Sequence, residues 1–370
     1  MRAGELQAIG ELGGKAIALP ATAVRDVHQA VAQRIFQRLG VIAAPVRIAH
    51  DGISKAVYAT TGAALRTPIG TAAKSAARRV AADAPSLADN PIGSLALGAL
   101  NGMWGDRIAT NHPQLALPMT LRIDGAHTPK LAVFVHGLCE NDESWRGAYG
   151  SNLRRDLGYT PVYVRYNTGL RVCDNGQRLA ALLDDLVANW PTDMDEVVLV
   201  GHSMGGLVSR SACHYAEADA HAWTDRLKHV FCLGTPHLGA PLERAADRAG
   251  RALARLPETR PFASAIDARS AGIKDLRFGN CVEDDEDIPF LPSATYYYVG
   301  ATLTRTQDSR LGKVVGDLLV QFPSASGDGP TRRIPFEVDK GRHVGGVNHF
   351  QLLNHPAVYA QISDWLKRAA

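Results

Sequence analysis

Apolar residues follow two different rhythms along the chain. Up to about residue 115 they recur at helical spacing, as in Val24, Val27, Val31, Ile35 and Leu39, with Arg25, Gln29, Arg34 and Arg38 between them. Gly40 is placed to end that helix. Thr67-Pro68 and Asn90-Pro91 each read as an N-cap followed by proline at the first helical position. After Asn90, the residues Leu95, Leu97, Leu100, Met103, Trp104 and Ile108 predict a helix that is apolar on most sides. Such a helix should be buried, against the rest of the chain or in a partner. Gly98, Gly102 and Gly105 would let another backbone approach it closely.

From Leu117 the rhythm changes to short apolar runs separated by helical stretches, the pattern of a parallel α/β sheet. Strands are expected at Leu121–Ile123, Leu131–Val135, Val162–Tyr166, Val197–Val200, Val230–Leu233, Tyr296–Val299 and Ile334–Val338. A helix is expected from Gln177 to Trp190, with leucines at 179, 182, 183 and 186. The division is therefore an Ala-rich helical extension over 1–115 and an α/β domain over 116–370. Residues 240–292 are polar and helical and occupy a position where a cap or lid is expected.

The strand Val197–Val200 runs into Gly201-His-Ser-Met-Gly205 and then into residues that continue as a helix. Strand, G-x-S-x-G and helix together are the nucleophile elbow of an α/β-hydrolase, a strained turn that lifts the serine above the sheet. Gly201 and Gly205 are required there because side chains would collide with the neighbouring strand and helix. A serine hydroxyl needs a base, and the base needs an orienting carboxylate, in the chain order Ser, Asp/Glu, His. Thirteen histidines are present, so position must choose among them. Past the last expected strand lie His343, His349 and His355; His349, just before the apolar start of the final helix, fits best. His343 would serve on a short loop, and His355 before Pro356 reads as a helix-end residue. Between the last two strands lie Asp308, Asp317 and Asp328. Asp328 sits in a Gly-Asp-Gly-Pro turn with its own structural reason, so Asp317 leads, with Asp308 second. Backbone N–H groups of Met204 and of Leu138, in His136-Gly-Leu, are the expected oxyanion donors. His136 and His202 read as structural residues that hydrogen-bond loops beneath the site, and His237 reads as loop-organising, with substrate contact as the alternative.

Composition narrows this little. Hydrophobic residues at 46% and charged residues at 21% are those of a globular protein, and a formal charge of +3 is no argument for nucleic acid. Residues 1–115 carry 12 Lys and Arg against 7 Asp and Glu, a mild basic excess compatible with an anionic surface. Five widely spaced cysteines without a C-x-x-C pair fit neither a zinc site nor a disulfide framework, and Cys213 and Cys232 read as buried thiols. No secretory signal or membrane-spanning run is visible, so the expected compartment is the cytoplasm. No phosphate-cradling glycine loop or metal-spaced cluster implies a cofactor.

His136-Gly-Leu, Gly201-His-Ser-Met-Gly-Gly206, Leu233-Gly-Thr-Pro-His-Leu-Gly-Ala-Pro241, Gly316-Asp-Leu-Leu-Val320 and His349-Phe-Gln-Leu-Leu resemble bacterial lipase/esterase-type α/β-hydrolases. The Thr-Pro-His-x-Gly turn is similar to that of the lipases and their inositol-deacylase-like branch. The resemblance covers residues 116–370. It implies Ser203, Asp317 and His349 as a triad, with Leu138 and Met204 as the oxyanion hole. One departure is Leu318, where those proteins often have glycine after the acid. The expected activity is hydrolysis of a carboxylic ester with a hydrophobic acyl group, a lipid or polyester ester among the possibilities, with peripheral lipid contact open. The rivals are thioester or amide cleavage on the same residues, and a non-catalytic scaffold that binds a partner through 1–115.

Overall fold

The computed structural model describes residues 1–14, 25, 26, 29, 33, 44–145, 149–240, 269–283, 288–306, 316–330 and 332–369. Apart from residues 25, 26, 29 and 33, the helix expected over 24–39 lies outside the described residues, as do residues 241–268 and 284–287 of the expected cap and Asp308.

The α/β rhythm produces a seven-stranded sheet in the order β1-β3-β2-β4-β5-β6-β7. The strands are β1 Thr120–Ile123, β2 Lys130–Val135, β3 Tyr159–Arg165, β4 Glu196–His202, β5 Leu227–Leu233, β6 Thr295–Thr302 and β7 Gly341–Gly345. Only β1 runs antiparallel to its neighbour. The five inner strands are continuous apolar runs because both faces are covered. On one face Leu131, Val133, Val135, Val197 and Leu199 pack with α5 (Val172–Ala188) and α6 (Met204–Ala218). On the other, Ala132, Phe134, Val198 and Val200 pack with α4 (Tyr149–Leu157) and the final helix Pro356–Ala369. Each such valine or leucine contributes roughly 1.5–3 kcal/mol by burial, so alternate side chains of β2 and β4 stabilise opposite faces equally. The chain reverses direction across the sheet between β3 and β4. The crevice beyond the carboxyl ends of β2 and β4 is therefore the switch point at which this kind of sheet binds ligands.

One expected strand is absent. Residues 334–337 form no strand: Pro335 has no N–H for a ladder, and Phe336 N–H turns back to Ile334 O at 2.8 Å. The last strand is β7, Gly-Arg-His-Val-Gly, in which only Val344 is buried. An edge strand with one apolar contact gives almost no periodic signal.

The residues fall into two compact units. One comprises 1–94, 111–115 and 245–269; the other comprises 95–110, 116–244 and 270–370. In the first, α1 (residues 3–14) buries Glu5, whose carboxylate accepts Leu87 N–H at 2.9 Å, and α2 (Ala44–Ala77) runs uninterrupted through Pro68. Thr67 is thus not a cap: its hydroxyl donates back to Ala63 O at 2.7 Å, inside the helix. Asn90 does cap, accepting from Ile92 and Gly93 N–H at 2.9 and 3.2 Å, and α3 spans Pro91–Asn111. No described helix is long and apolar enough to cross a membrane.

In the second unit, residues 95–110 of α3 are only partly buried, not covered on most sides as expected. Leu97 and Ile108 are buried, but Leu95, Met103 and Trp104 are exposed. The contact face is the glycine face. A Cβ on Gly98 would lie 2.8 Å from Glu140 O, and one on Gly102 would lie 2.8 Å from both N and Cα of Cys139. At Gly105 the Asn167 amide enters, donating to Gly105 O at 3.0 Å, beside the kink at Trp104 (φ −140°).

Candidate active site

Ser203 stands between β4 and α6 with φ 52° and ψ −122°, a strained conformation for a residue other than glycine. Its neighbours hold it there: Ser203 N–H donates to Leu233 O at 2.8 Å, and Ser203 O accepts from Gly206 N–H at 3.1 Å. The elbow's two glycines are sterically required. A Cβ on Gly201 would meet Gly206 N at 2.5 Å and the Gly205 carbonyl at 2.6 Å, and one on Gly205 would press into the carbonyls of Val135, the last residue of β2, and of His136 after it. Met204, the first residue of α6, is fully buried, and its N–H points from a helix start with no acceptor among the described residues.

The expected base and acid come together. His349 Nδ1 lies 2.8 Å from Asp317 Oδ2, and both side chains are buried. Asp317 is fixed from its other oxygen, which accepts N–H of Leu319 at 3.1 Å and of Val320 at 2.8 Å. A backbone bond, His349 N–H to Asp317 O at 3.0 Å, clips the two loops together. The His349 ring lies over Gly234, where a Cβ would be 3.1 Å from its Cε1; Gly234 follows Leu233, which accepts from Ser203. His349 Nε2 is buried without a partner among the described residues. The rival histidines are elsewhere. His343 is inside β7 with Nε2 2.8 Å from Thr302 Oγ1, and His355 Nδ1 accepts from Ala357 N–H at the start of the final helix. Asp328 is paired with Arg333 at 2.7 Å.

The loop after β2 lies beside the serine: a Cβ on Gly137 would be 3.0 Å from Ser203 Cβ. Its backbone donors can be accounted for individually. Gly137 N–H donates to Glu140 Oε2 at 2.7 Å, Cys139 N–H to Thr168 Oγ1 at 3.2 Å, and Glu140 N–H to Gly137 O at 3.2 Å. Leu138 N–H has no acceptor among the described residues. Two unspent backbone donors, those of Leu138 and Met204, therefore flank Ser203. Cys139, at φ 61°, turns the loop, and burial pushes its thiol up to about 11, so it is no rival nucleophile.

A family model described as PGAP1-like alpha/beta domain matches residues 133–276, the stretch carrying the loop after β2, the elbow and the Thr235-Pro-His turn. With the seven-stranded sheet, this decides the fold. The chain has an α/β-hydrolase fold. Solved structures similar to it include the mature lipase BlEst2 of Bacillus licheniformis, at 20% identity over 67% of this chain and 97% of that one, with a TM-score of 0.47. An esterase of Thermogutta terrifontis is similar at 15% identity over 68% and 94%, TM-score 0.42. The esterase RhEst1 of Rhodococcus sp. ECU1013 is similar at 17% over 67% and 94%, TM-score 0.38. The α/β-hydrolase fold read from the motifs agrees with the family match.

Around this site the remaining histidines have distinct surroundings. His136 is neutral, its pKa lowered to about 4 by burial, and its Nδ1 faces Gly137 O at 3.0 Å. His237 is also buried and neutral, driven down by burial and by Arg210, whose Nη1 lies 3.2 Å from its Nδ1. His202 differs from both: Nδ1 lies 3.1 Å from each oxygen of Glu140, and Nε2 lies 3.1 Å from His349 O. Glu140 is a residue that motif reading missed. It carries no pattern of its own in His136-Gly-Leu-Cys-Glu, and only the fold reveals that it is buried among the loops that surround the serine.

Proposed function

We propose that this chain is a serine hydrolase that cleaves carboxylic esters bearing a hydrophobic acyl group. The observation that carries the reading is the 2.8 Å contact of Asp317 with His349 Nδ1, which leaves a buried, unpartnered Nε2 beside the Ser203 turn. Asp317 fixes the tautomer with hydrogen on Nδ1, so Nε2 is free to take the Ser203 proton. Ser203 Oγ then attacks the ester carbonyl. The developing oxyanion is received by Leu138 and Met204 N–H groups, which are rigid and need no reorganisation. His349 returns its proton to the departing alcohol, then activates water to release the acid from the acyl-enzyme. The apolar preference rests on three side chains adjoining these residues. Leu318 follows the acid and Phe350 follows the base, 57% and 55% exposed, and Leu138 is half-buried at the donor loop.

The same tetrahedral intermediate serves thioesters and anilides, and the scaffold reading needs no turnover at all. A panel of p-nitrophenyl esters from acetate to decanoate, an acyl-CoA and an anilide separates them. Ester turnover that rises with chain length and is lost in Ser203→Ala is expected. Rapid thioester cleavage with inert esters would overturn the ester reading, and no turnover of any member would favour the scaffold.

A further inference from the structure

His202 sits at the x of G-x-S-x-G, where a side chain has no direct part in the chemistry, yet it touches all three loops of the site. From β4 it reaches Glu140 of the oxyanion loop on one side and the backbone of His349 on the other. Its ring lies 4.8 Å from that of His349. Both ring nitrogens face oxygen acceptors: a carboxylate at Nδ1 and a peptide carbonyl at Nε2. A neutral imidazole has one N–H and satisfies one of them; an imidazolium satisfies both. Glu140 is likewise occupied, taking Gly137 N–H at 2.7 Å as well as the imidazole. That bond removes Gly137 from the pool of oxyanion donors and holds the loop in the shape that leaves Leu138 N–H unspent.

From this geometry we infer that His202, as an imidazolium ion-paired with Glu140, is a positioning residue that sets the oxyanion loop and the base loop relative to Ser203. The inference rests on the reading of Ser203, Asp317 and His349 as a triad. The pair is buried on both sides, where an ion pair must be complete to be tolerable, so removing one partner leaves the other uncompensated. The electrostatics agree. Burial alone would raise the Glu140 pKa, but the charge and hydrogen bond of His202 and the Gly137 N–H bring it to about 2. Burial would lower His202, but the Glu140 charge and hydrogen bond, with His349 O and Asp317, raise it. His136, the other histidine near Glu140, is held neutral and does not compete.

The test compares Glu140→Gln, His202→Gln and the double variant with wild type on a p-nitrophenyl ester. The affinity of an aliphatic trifluoromethyl ketone, which forms an oxyanion on the serine, is measured alongside. Each single variant is expected to lose about 10- to 100-fold in kcat with KM within about two-fold, a smaller loss than deletion of a whole oxyanion donor. Ketone binding should weaken in parallel with kcat. The double variant should lose less than the product of the two singles, because the second change removes a charge already orphaned. On the unmodified protein, ¹⁵N spectra should show both His202 ring nitrogens protonated at neutral pH, a readout that does not depend on any variant folding. Wild-type kcat in both singles, or a neutral His202 ring, would overturn the inference while leaving the triad intact. A wild-type protein that turns over no acyl substrate would instead remove the reading beneath it.

Discussion

At the scale of single residues, the site depends on backbone conformations that side chains ordinarily avoid. Ser203 at φ 52° is the strained serine that the elbow pattern implies. Leu318, at φ 95°, was visible in the sequence only as a departure from the glycine expected after the acid. The structure explains both sides of that departure: the position favours glycine, and leucine there presents an exposed apolar side chain beside Asp317. A left-handed conformation disfavours an L-residue by about 1–2 kcal/mol, partly offset in the glycine variant by roughly 0.5–1 kcal/mol of extra chain entropy. Leu318→Gly should therefore raise stability by about 0.5–1 kcal/mol, read from the urea midpoint. It should also lower kcat/KM for decanoate relative to acetate. A destabilised variant with an unchanged chain-length profile would refute this account of Leu318. Asp317→Asn should preserve the fold and KM but reduce kcat by about four orders of magnitude, because the wrong tautomer of His349 is then held. A loss under ten-fold would return the acid role to another residue.

Among the elements, α3 shows what pattern reading can and cannot deliver. Helical spacing, the Asn90-Pro91 start and the close backbone approach at Gly98 and Gly102 were correct, but burial on most sides was not: Leu95, Met103 and Trp104 are exposed. Hydrophobic periodicity identifies a contact by what it removes from water. A contact made by Gly98 and Gly102 against the Cys139–Glu140 backbone removes peptide surface instead, so the glycine spacing signals it while the apolar pattern does not. Because that backbone belongs to the loop proposed to supply an oxyanion donor, Gly102→Ala should act through kcat. The added Cβ displaces Cys139, with an expected loss of about ten-fold or more in kcat, comparable to mis-setting a preorganised donor. Unchanged kinetics in a folded Gly102→Ala protein would show that the loop is positioned without α3. β7 was missed for a related reason, since one buried valine in an edge strand carries no alternation, whereas Pro335 was overruled as a strand breaker by the apolar residues around it.

Over the whole molecule, the inner sheet was legible because both of its faces are buried, which forces continuous apolar runs punctuated by glycine turns. Ser203, His349 and Asp317 were legible as candidates because this fold fixes the chain order in which to look for them, and His349 and Asp317 do meet, at 2.8 Å. Glu140 was not, since its role arises from a meeting of loops more than sixty residues apart in sequence. The pair it forms with His202 also leaves a signature in global stability. His202's folded pKa lies above 6.5 and Glu140's below 4.5, so the pair contributes fully between those values. Its contribution fades as pH rises through the raised His202 pKa, and again as pH falls toward about 2, the folded value of Glu140. Glu140, His136, Asp317 and His349 are the titratable groups around that ring. The stability gap between wild type and the double Glu140→Gln/His202→Gln variant should be widest near about pH 5.5 and shrink as pH rises through the raised His202 pKa; a gap that never shrinks on the alkaline side would contradict the ionised pair.

The most direct measurement is labelling of the whole chain with a fluorophosphonate, followed by intact-mass analysis and peptide mapping. One adduct per chain on Ser203 is expected, absent in Ser203→Ala and greatly slowed in a folded His349→Ala variant. An unlabelled wild-type protein, or an adduct mapped to another residue, would contradict a catalytic serine at this elbow.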